Sequence, residues 1–351
     1  MAINTFNSTV TPDKINGLSL WLDATDSSTL NTKLAADFIA ANSESLSSAS
    51  TDFVKVDDDF SFGCWVYLDV TNSVTYQIMG KWGTGSGRGY SLRQNSSTSL
   101  IFRMYNGANY DLSFTTSTLT SRWAFVICTY DSVNDLMKIS IDGGTYNTLS
   151  LIGGCGGGNE NFSFMTTPSN ALYSDGRIDG AFFYDKALSQ SEVSSLYNSG
   201  NGKAYADLTA GDLTSLVSWW ELNEISGTRT DSHGTNDLTD NNTVGYALGK
   251  IQELIEDGNR VWRWMDKSSN LIPFTQDTAT AQSVYVASGF GTKTKPYIDF
   301  LAASQGYLNS TTISKLAEHT VFVACYVAVA GTDTLIADHD GSGASTGGVS
   351  I

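Results

Sequence analysis

Proline and histidine are scarce, at 4 and 3 in 351 residues, and 20 basic residues stand against 36 acidic ones. Few prolines leave nearly every backbone N–H free to enter a ladder. The 4 cysteines, Cys64, Cys128, Cys155 and Cys325, show no C-x-x-C spacing. That argues against a disulfide framework or a zinc site and points to buried free thiols. His233, His319 and His339 have neither metal-ligand spacing nor a nucleophile pattern beside them. A formal charge of -16 repels nucleic-acid backbones and anionic membranes, so no nucleic-acid partner is expected. No apolar run is long enough to cross a bilayer, which argues against membrane insertion. Met1-Ala2-Ile3-Asn4-Thr5-Phe6-Asn7 lacks a basic segment leading into an apolar one, so no secretory signal is read there, although a truncated chain would show the same.

What the chain does have is a unit written twice. Phe38-Ile39-Ala40-Ala41-Asn42-Ser43-Glu44-Ser45-Leu46 is a near copy of Phe300-Leu301-Ala302-Ala303-Ser304-Gln305-Gly306-Tyr307-Leu308. Ser61 to Val66 is echoed by Val321 to Val327, and Ile78 to Trp82 by Leu335 to His339, each of the latter pair followed by a Gly/Ser loop. An opening strand also occurs twice, at Leu18 to Asp23 and at Leu216 to Leu222. Each should lead through an Asp-Ser turn into a strand across the Phe-x-Ala-Ala segment. The first finds its turn only at Trp264 to Asn270, whereas the second finds it at once in Asp231-Ser232-His233-Gly234-Thr235-Asn236. Nesting accounts for this order: a 1–14 arm, an outer domain of 15–31 plus 251–351, and a circularly permuted inner domain of 32–250. Such insertion needs only a surface gap and close termini.

The local signals are those of antiparallel strands. Phe60, Phe62, Cys64 and Val66 alternate with Ser61, Gly63, Trp65 and Tyr67, which predicts a core face and an amphipathic aromatic face. Trp123 to Tyr130 reads as a central strand, and Leu136 to Asp142 runs into a Gly143-Gly144 hairpin turn. The one clear helix has Ser189 and Glu192 as a capping box, Leu188 and Val193 as a hydrophobic staple and Gly200 placed to end it. Gly83 to Gly89 superficially matches a phosphate loop, but no helix follows to hold the phosphate, so it reads as a hairpin. Gly153 to Gly158 reads as a loop needing unusual backbone angles or close chain approach, and Asp57-Asp58-Asp59 as a solvated turn.

Asp175 to Val193 resembles the closing strand and short helix of concanavalin A-like, laminin G-type jelly-roll domains. Trp123 to Asp131 with Ile139 to Gly143 resembles that family's central strand pair, and Phe60 to Val66 its early core strand. The resemblance implies an all-β fold: antiparallel jelly-roll β-sandwiches in two nested copies, the second incomplete. The inner one is traced from about Lys33 through Tyr197 and closed at Leu216. The outer trace stops at Gly348 to Ile351, so its counterpart of residues 93–200 is expected from a longer chain or from another one. Leu20 to Asp26 and Trp264 to Ser268 resemble modules common in bacteriophage virion proteins and large bacterial surface proteins.

The family's role is usually non-enzymatic binding, though some relatives are glycoside hydrolases. A retaining hydrolase needs two carboxylates roughly 5 Å apart, and Glu221 and Glu224, three apart in sequence, fall on opposite faces of a regular strand. No catalytic residue is assigned. Relatives often hold a structural calcium with an acidic closing-strand residue, and Asp179 matches that position, local capping being the alternative. For a glycan, aromatic faces and planar amides are needed. Trp82, Arg88, Tyr105 and Asn106 cluster near hairpin ends that border one sheet, with ordinary strand-end packing as the alternative. The expectation is a structural or adhesive virion component of a bacteriophage, capsid-decorating, fibre or tail-associated. Its expected location is the virion, and its expected partners are other virion proteins, a cell-surface glycan or copies of itself. A carbohydrate-active enzyme or its binding module, extracellular or on a bacterial surface, is the alternative.

Overall fold

The computed structural model describes Leu22, Leu30, residues 33–69, 76–116, 118–167, 172–252, 258–267, 273–276, 282–287 and 297–299. The repeats and strands placed at 15–21, 300–308 and 321–351, with His319, Cys325 and His339, lie outside the described residues.

Seventeen strands carry the architecture: β1 (Leu34–Phe38), β2 (Ser45–Ser48), β3 (Phe60–Leu68), β4 (Tyr76–Trp82), β5 (Arg88–Ser96), β6 (Ser99–Tyr105), β7 (Asn109–Thr115), β8 (Trp123–Asp131), β9 (Leu136–Ile141), β10 (Asn147–Ser150), β11 (Phe162–Phe164), β12 (Thr166–Thr167), β13 (Leu172–Tyr173), β14 (Gly176–Tyr184), β15 (Leu216–Trp220), β16 (Thr239–Asn241) and β17 (Gly245–Leu248). One antiparallel sheet runs β10-β9-β8-β3-β14-β1-β17, with β15 also on β14; the other runs β16-β2-β11-β4-β5-β6-β7. They form the expected jelly-roll β-sandwich of concanavalin A-like type.

Alternation decides which side chains meet between the sheets. Phe60, Phe62, Cys64 and Val66 of β3 face Tyr90 and Leu92 of β5 and Phe102 of β6 in one core that also holds Phe162, Phe183 and Trp220. The other face of β3 turns Trp65 into a second cluster with Phe125, Phe182, Trp219 and the helix α1 (Gln190–Tyr197) residues Val193 and Leu196. Both faces of this sheet are therefore covered, which is why its central strands read as nearly continuous apolar runs. The helix starts as its sequence predicts. Ser189 accepts from Glu192 N, Glu192 accepts from Ser189 N, and Leu188 packs in the same cluster as Val193. Its end differs: Asn198 takes the left-handed C-cap (φ 48°), and Gly200 (φ 92°) comes two residues later. Asn tolerates that conformation through its short polar side chain.

The Phe-x-Ala-Ala segment, Phe38 to Ala41, does not run as a strand, contrary to expectation. Phe38 ends β1 in the first sheet, residues 40–42 form a single 3₁₀ turn, Ser43 is left-handed (φ 59°), and β2 begins at Ser45 in the second sheet. Glu44 holds the corner by accepting from Ile39 N (2.8 Å) and Asn42 Nδ2 (2.9 Å). Alternation is broken there because the chain is changing sheets.

On one edge of β14, β1 pairs with Gly176 to Ile178 and β15 with Ala181 to Tyr184. Between them β14 bulges against β3 from Asp179 to Phe182, with Gly180 at φ 53°. The described part of 258–299 forms two small sheets, and Leu30, bridged to Trp264, is buried with Val261 and Tyr285. Cys64, Cys128 and Cys155 are buried and free, and burial pushes the Cys155 thiol up to about 11. No described helix is long and apolar enough to cross a membrane.

Candidate functional site

The seven-stranded sheet turns Tyr90, Leu92, Leu100, Phe102, Met104 and Leu112 inward, so the alternate positions of β5, β6 and β7 face outward. Register places Trp82 opposite Arg88, Ser91 opposite Arg103, and Arg103 opposite Asp111. The hairpin at Gly107 (φ 78°) makes that last pair, because Tyr105 and Asn109 flank it symmetrically.

Three of the four residues singled out in the sequence converge at this end of the sheet. The Trp82 and Tyr105 rings meet edge to face, with centroids 6.4 Å apart, and the Arg88 guanidinium lies 5.9 Å from Trp82 and 5.3 Å from Tyr105. Asn106 is exposed, and its Nδ2 donates to Ile152 O (2.8 Å), tying the β6 end to the glycine loop. That loop is packed tightly. Gly156 N donates to Tyr105 O (2.7 Å) and Cys155 N to Val56 O (2.7 Å), and a Cβ on Gly154 (φ 65°) would stand 2.0 Å from Val56 O. Only glycine fits such a left-handed close approach.

Two arginines missing from the sequence reading complete the cluster. Arg93 and Arg103 bring their guanidiniums 4.7 Å and 5.7 Å from the Trp82 ring. Trp82 is consequently only 5% exposed and seats the cations, while Arg88, Tyr105 and Asn106 keep solvent-facing surface. Arg103 makes a two-pronged pair with Asp111 (2.5 and 2.6 Å). Burial, and then the neighbouring Arg103 charge, push the Arg93 guanidinium down to about 10. The hairpin symmetry about Gly107 would have revealed the Arg103–Asp111 pair. Arg93 gave no signal beyond being a polar residue in an alternating strand.

Asp179 lies at the bulge of β14, 1% exposed. Its Oδ2 accepts from Lys250 N (2.6 Å) and Ile251 N (2.8 Å), so the carboxylate anchors the chain leaving β17. Burial pushes its carboxyl up to about 7, partly offset by those two amides. Lys33, Lys203, Trp219, Glu221 and Asn223 line the small cleft beside it. Calcium takes six to eight oxygen ligands. Here one carboxylate oxygen faces two N–H donors, and two lysines share the cleft. No group of three or more His, Cys, Asp or Glu side chains suited to a metal forms among the described residues.

The carboxylates weighed as catalytic are engaged elsewhere. Glu221 accepts from Tyr205 N (2.9 Å) and pairs with Lys33 (3.4 Å), and Glu224 accepts from Thr230 N (2.8 Å). His233 Nδ1 meets Tyr205 OH at 3.0 Å. Asp59 caps Ser132 through its N and Oγ (2.7 and 2.8 Å), and Asp57 accepts from the buried Tyr130 OH (3.1 Å), so the triple-aspartate turn is tied into the fold.

Residues 40–194 match the laminin G-type model of the concanavalin A-like lectin/glucanases superfamily. Among solved structures, the chain is similar to a Bacteroides ovatus protein described as carbohydrate-binding, at 16% identity and a TM-score of 0.46, covering 65% of this chain and 63% of that one. It is also similar to the CBM40 module of a Ruminococcus gnavus sialidase bound to α2,3-sialyllactose (16% identity, TM-score 0.39, covering 46% and 96%). A third likeness is to a heptameric SAP-like pentraxin of Limulus polyphemus (13% identity, TM-score 0.35, covering 47% and 82%). No curated protein matches the sequence.

Proposed function

We propose that this chain is a non-enzymatic glycan-binding module whose site is the β4–β5–β6 end of the seven-stranded sheet. The observation that carries the reading is the convergence of Trp82, Arg88 and Tyr105 from three strands beside the exposed amide of Asn106. An aromatic face and planar hydrogen-bonding groups on a rigid sheet are what a sugar ring requires: apolar C–H faces stack, and hydroxyls find donors. The match to a lectin/glucanase family supports it. The non-enzymatic reading is supported by Glu221 and Glu224 each accepting from a backbone amide.

Glycan-array binding tests the site. Tyr105→Ala and Asn106→Ala should each weaken the best glycan at least tenfold while circular dichroism shows both variants still folded, since Asn106 is exposed and Tyr105 part-exposed. No reducing ends should be released from that glycan, and Glu221→Gln should change nothing. Unaltered binding in both site variants, or cleavage that Glu221→Gln abolishes, would reject the proposal.

A place in a bacteriophage virion is the finer proposal, supported by the resemblance of the Leu20 to Asp26 and Trp264 to Ser268 segments to virion modules. The nested division into 15–31 plus 251–351 around 32–250 is proposed with it.

A further inference from the structure

We infer that the glycan bound at this site carries an anionic group, a carboxylate or a sulfate, received by the arginines around Trp82. This rests on the glycan-binding reading above and narrows it. Three guanidiniums, those of Arg88, Arg93 and Arg103, surround one indole at 4.7 to 5.9 Å, and Asp111 pairs with Arg103 alone. The site is therefore locally cationic in a chain whose formal charge is -16.

Such crowding is unfavourable unless something offsets it. Each cation–π contact returns roughly 0.5–2 kcal/mol, whereas like charges a few ångströms apart at a half-desolvated surface repel by amounts of the same size or more. Hydrogen bonding within the chain leaves donors over. Arg93 is 4% exposed and uses Nε on Ser91 Oγ (2.7 Å), but its Nη2 is buried without a partner, as is Arg88 Nε. Buried donors of this kind are ordinarily satisfied, and an arginine fork matches a carboxylate or sulfate in geometry as well as charge. Arg88 and Arg103 are part-exposed and form the outer layer of the cluster, with Arg93 as its buried floor. Tyr105, in contact with Arg88, offers a ring face beside the anion, which favours an acidic sugar over an acidic peptide.

The experiment uses the full chain and four polymers: dextran, dextran sulfate, polygalacturonate and poly-glutamate, with affinities measured by calorimetry at 50 and 300 mM NaCl. Polygalacturonate or dextran sulfate should bind at least tenfold tighter than dextran and than poly-glutamate, and the preference should shrink at the higher salt. Arg88→Gln should weaken the acidic polymer at least tenfold. Asp111→Asn should tighten it severalfold by releasing the Arg103 fork, a gain that a purely structural Asp111 would not produce. Arg88 is part-exposed and Asp111 exposed, which keeps the test independent of the buried Arg93. Binding to neutral dextran as tight as to the acidic polymers overturns the anionic ligand and leaves glycan binding standing. Poly-glutamate binding as tightly as polygalacturonate overturns the sugar, and no binding to any of the four overturns both readings.

Discussion

Replacing Asp231 with alanine should destabilise the sandwich by about 3–4 kcal/mol and lower its unfolding temperature by roughly 10 °C. The turn after β15 is built on this one carboxylate. Oδ1 accepts from Trp219 N, His233 N and Gly234 N, each at 3.0 Å, and Oδ2 from Asn236 N at 3.1 Å. The residue is 5% exposed, so water cannot replace what alanine removes. Hydrogen bonds to a charged acceptor are each worth roughly 1.5–3 kcal/mol, and partial relaxation brings four of them below their sum. The same turn sets Asn236, whose carbonyl accepts from the core Trp220 Nε1 (2.8 Å), so the damage should reach the packing of Trp220. Asp231→Asn, which keeps one acceptor oxygen, should fall between wild type and alanine. Alanine at the exposed Asp207 should cost less than about 0.5 kcal/mol. Denaturant unfolding of the three variants decides it, and a loss below about 1 kcal/mol for Asp231→Ala would show that the turn holds without its carboxylate.

Asp179→Asn should abolish a pH dependence of stability that the wild type shows between about pH 4 and 8. Burial raises the carboxyl from its ordinary 3.8 to about 7 in the folded chain. The folded state thus holds this proton more tightly than the unfolded one. The stability it contributes is complete below about pH 4 and is lost as pH rises through 7. Three units correspond to roughly 4 kcal/mol. Asparagine keeps a neutral acceptor for Lys250 N and Ile251 N and does not titrate. The difference in unfolding free energy between variant and wild type should therefore grow in the variant's favour from pH 5 to pH 8, with other titrating groups cancelling in the subtraction. Parallel curves would remove Asp179 as the source. Adding millimolar calcium at pH 8 tests the ion proposed for this residue, because a bound cation favours the carboxylate and must raise the wild-type unfolding temperature more than the variant's.

How much of this was legible in the sequence follows from how local each signal is. Phe60 to Val66 and Trp123 to Tyr130 alternate or run apolar over whole strands, and the capping box spans four residues, so these elements appear where the sequence places them. The Phe38 to Leu46 segment misled because its apolar residues serve two sheets on either side of a one-turn corner. Trp82, Arg88 and Tyr105 were found through composition at hairpin ends. Arg93 was not, since a polar residue at an outward strand position is what solvent alone would select, and its burial depends on Trp82, one strand away. Asp179 matched a family position, but its two amide partners lie 71 and 72 residues onward, beyond any local pattern.

The shared edge of β14 bears on how the chain comes to be made. During synthesis the segment from β1 through β14 emerges first, with Ala181 to Tyr184 facing a gap that only β15, starting at Leu216, will fill. β1 likewise waits for β17. Until roughly sixty further residues have left the ribosome, this open ladder is a template for another nascent chain. Since such long-range pairings close slowly, these two later-made strands act as the sheet's guard against self-association, and the order of translation becomes part of the design of the sheet.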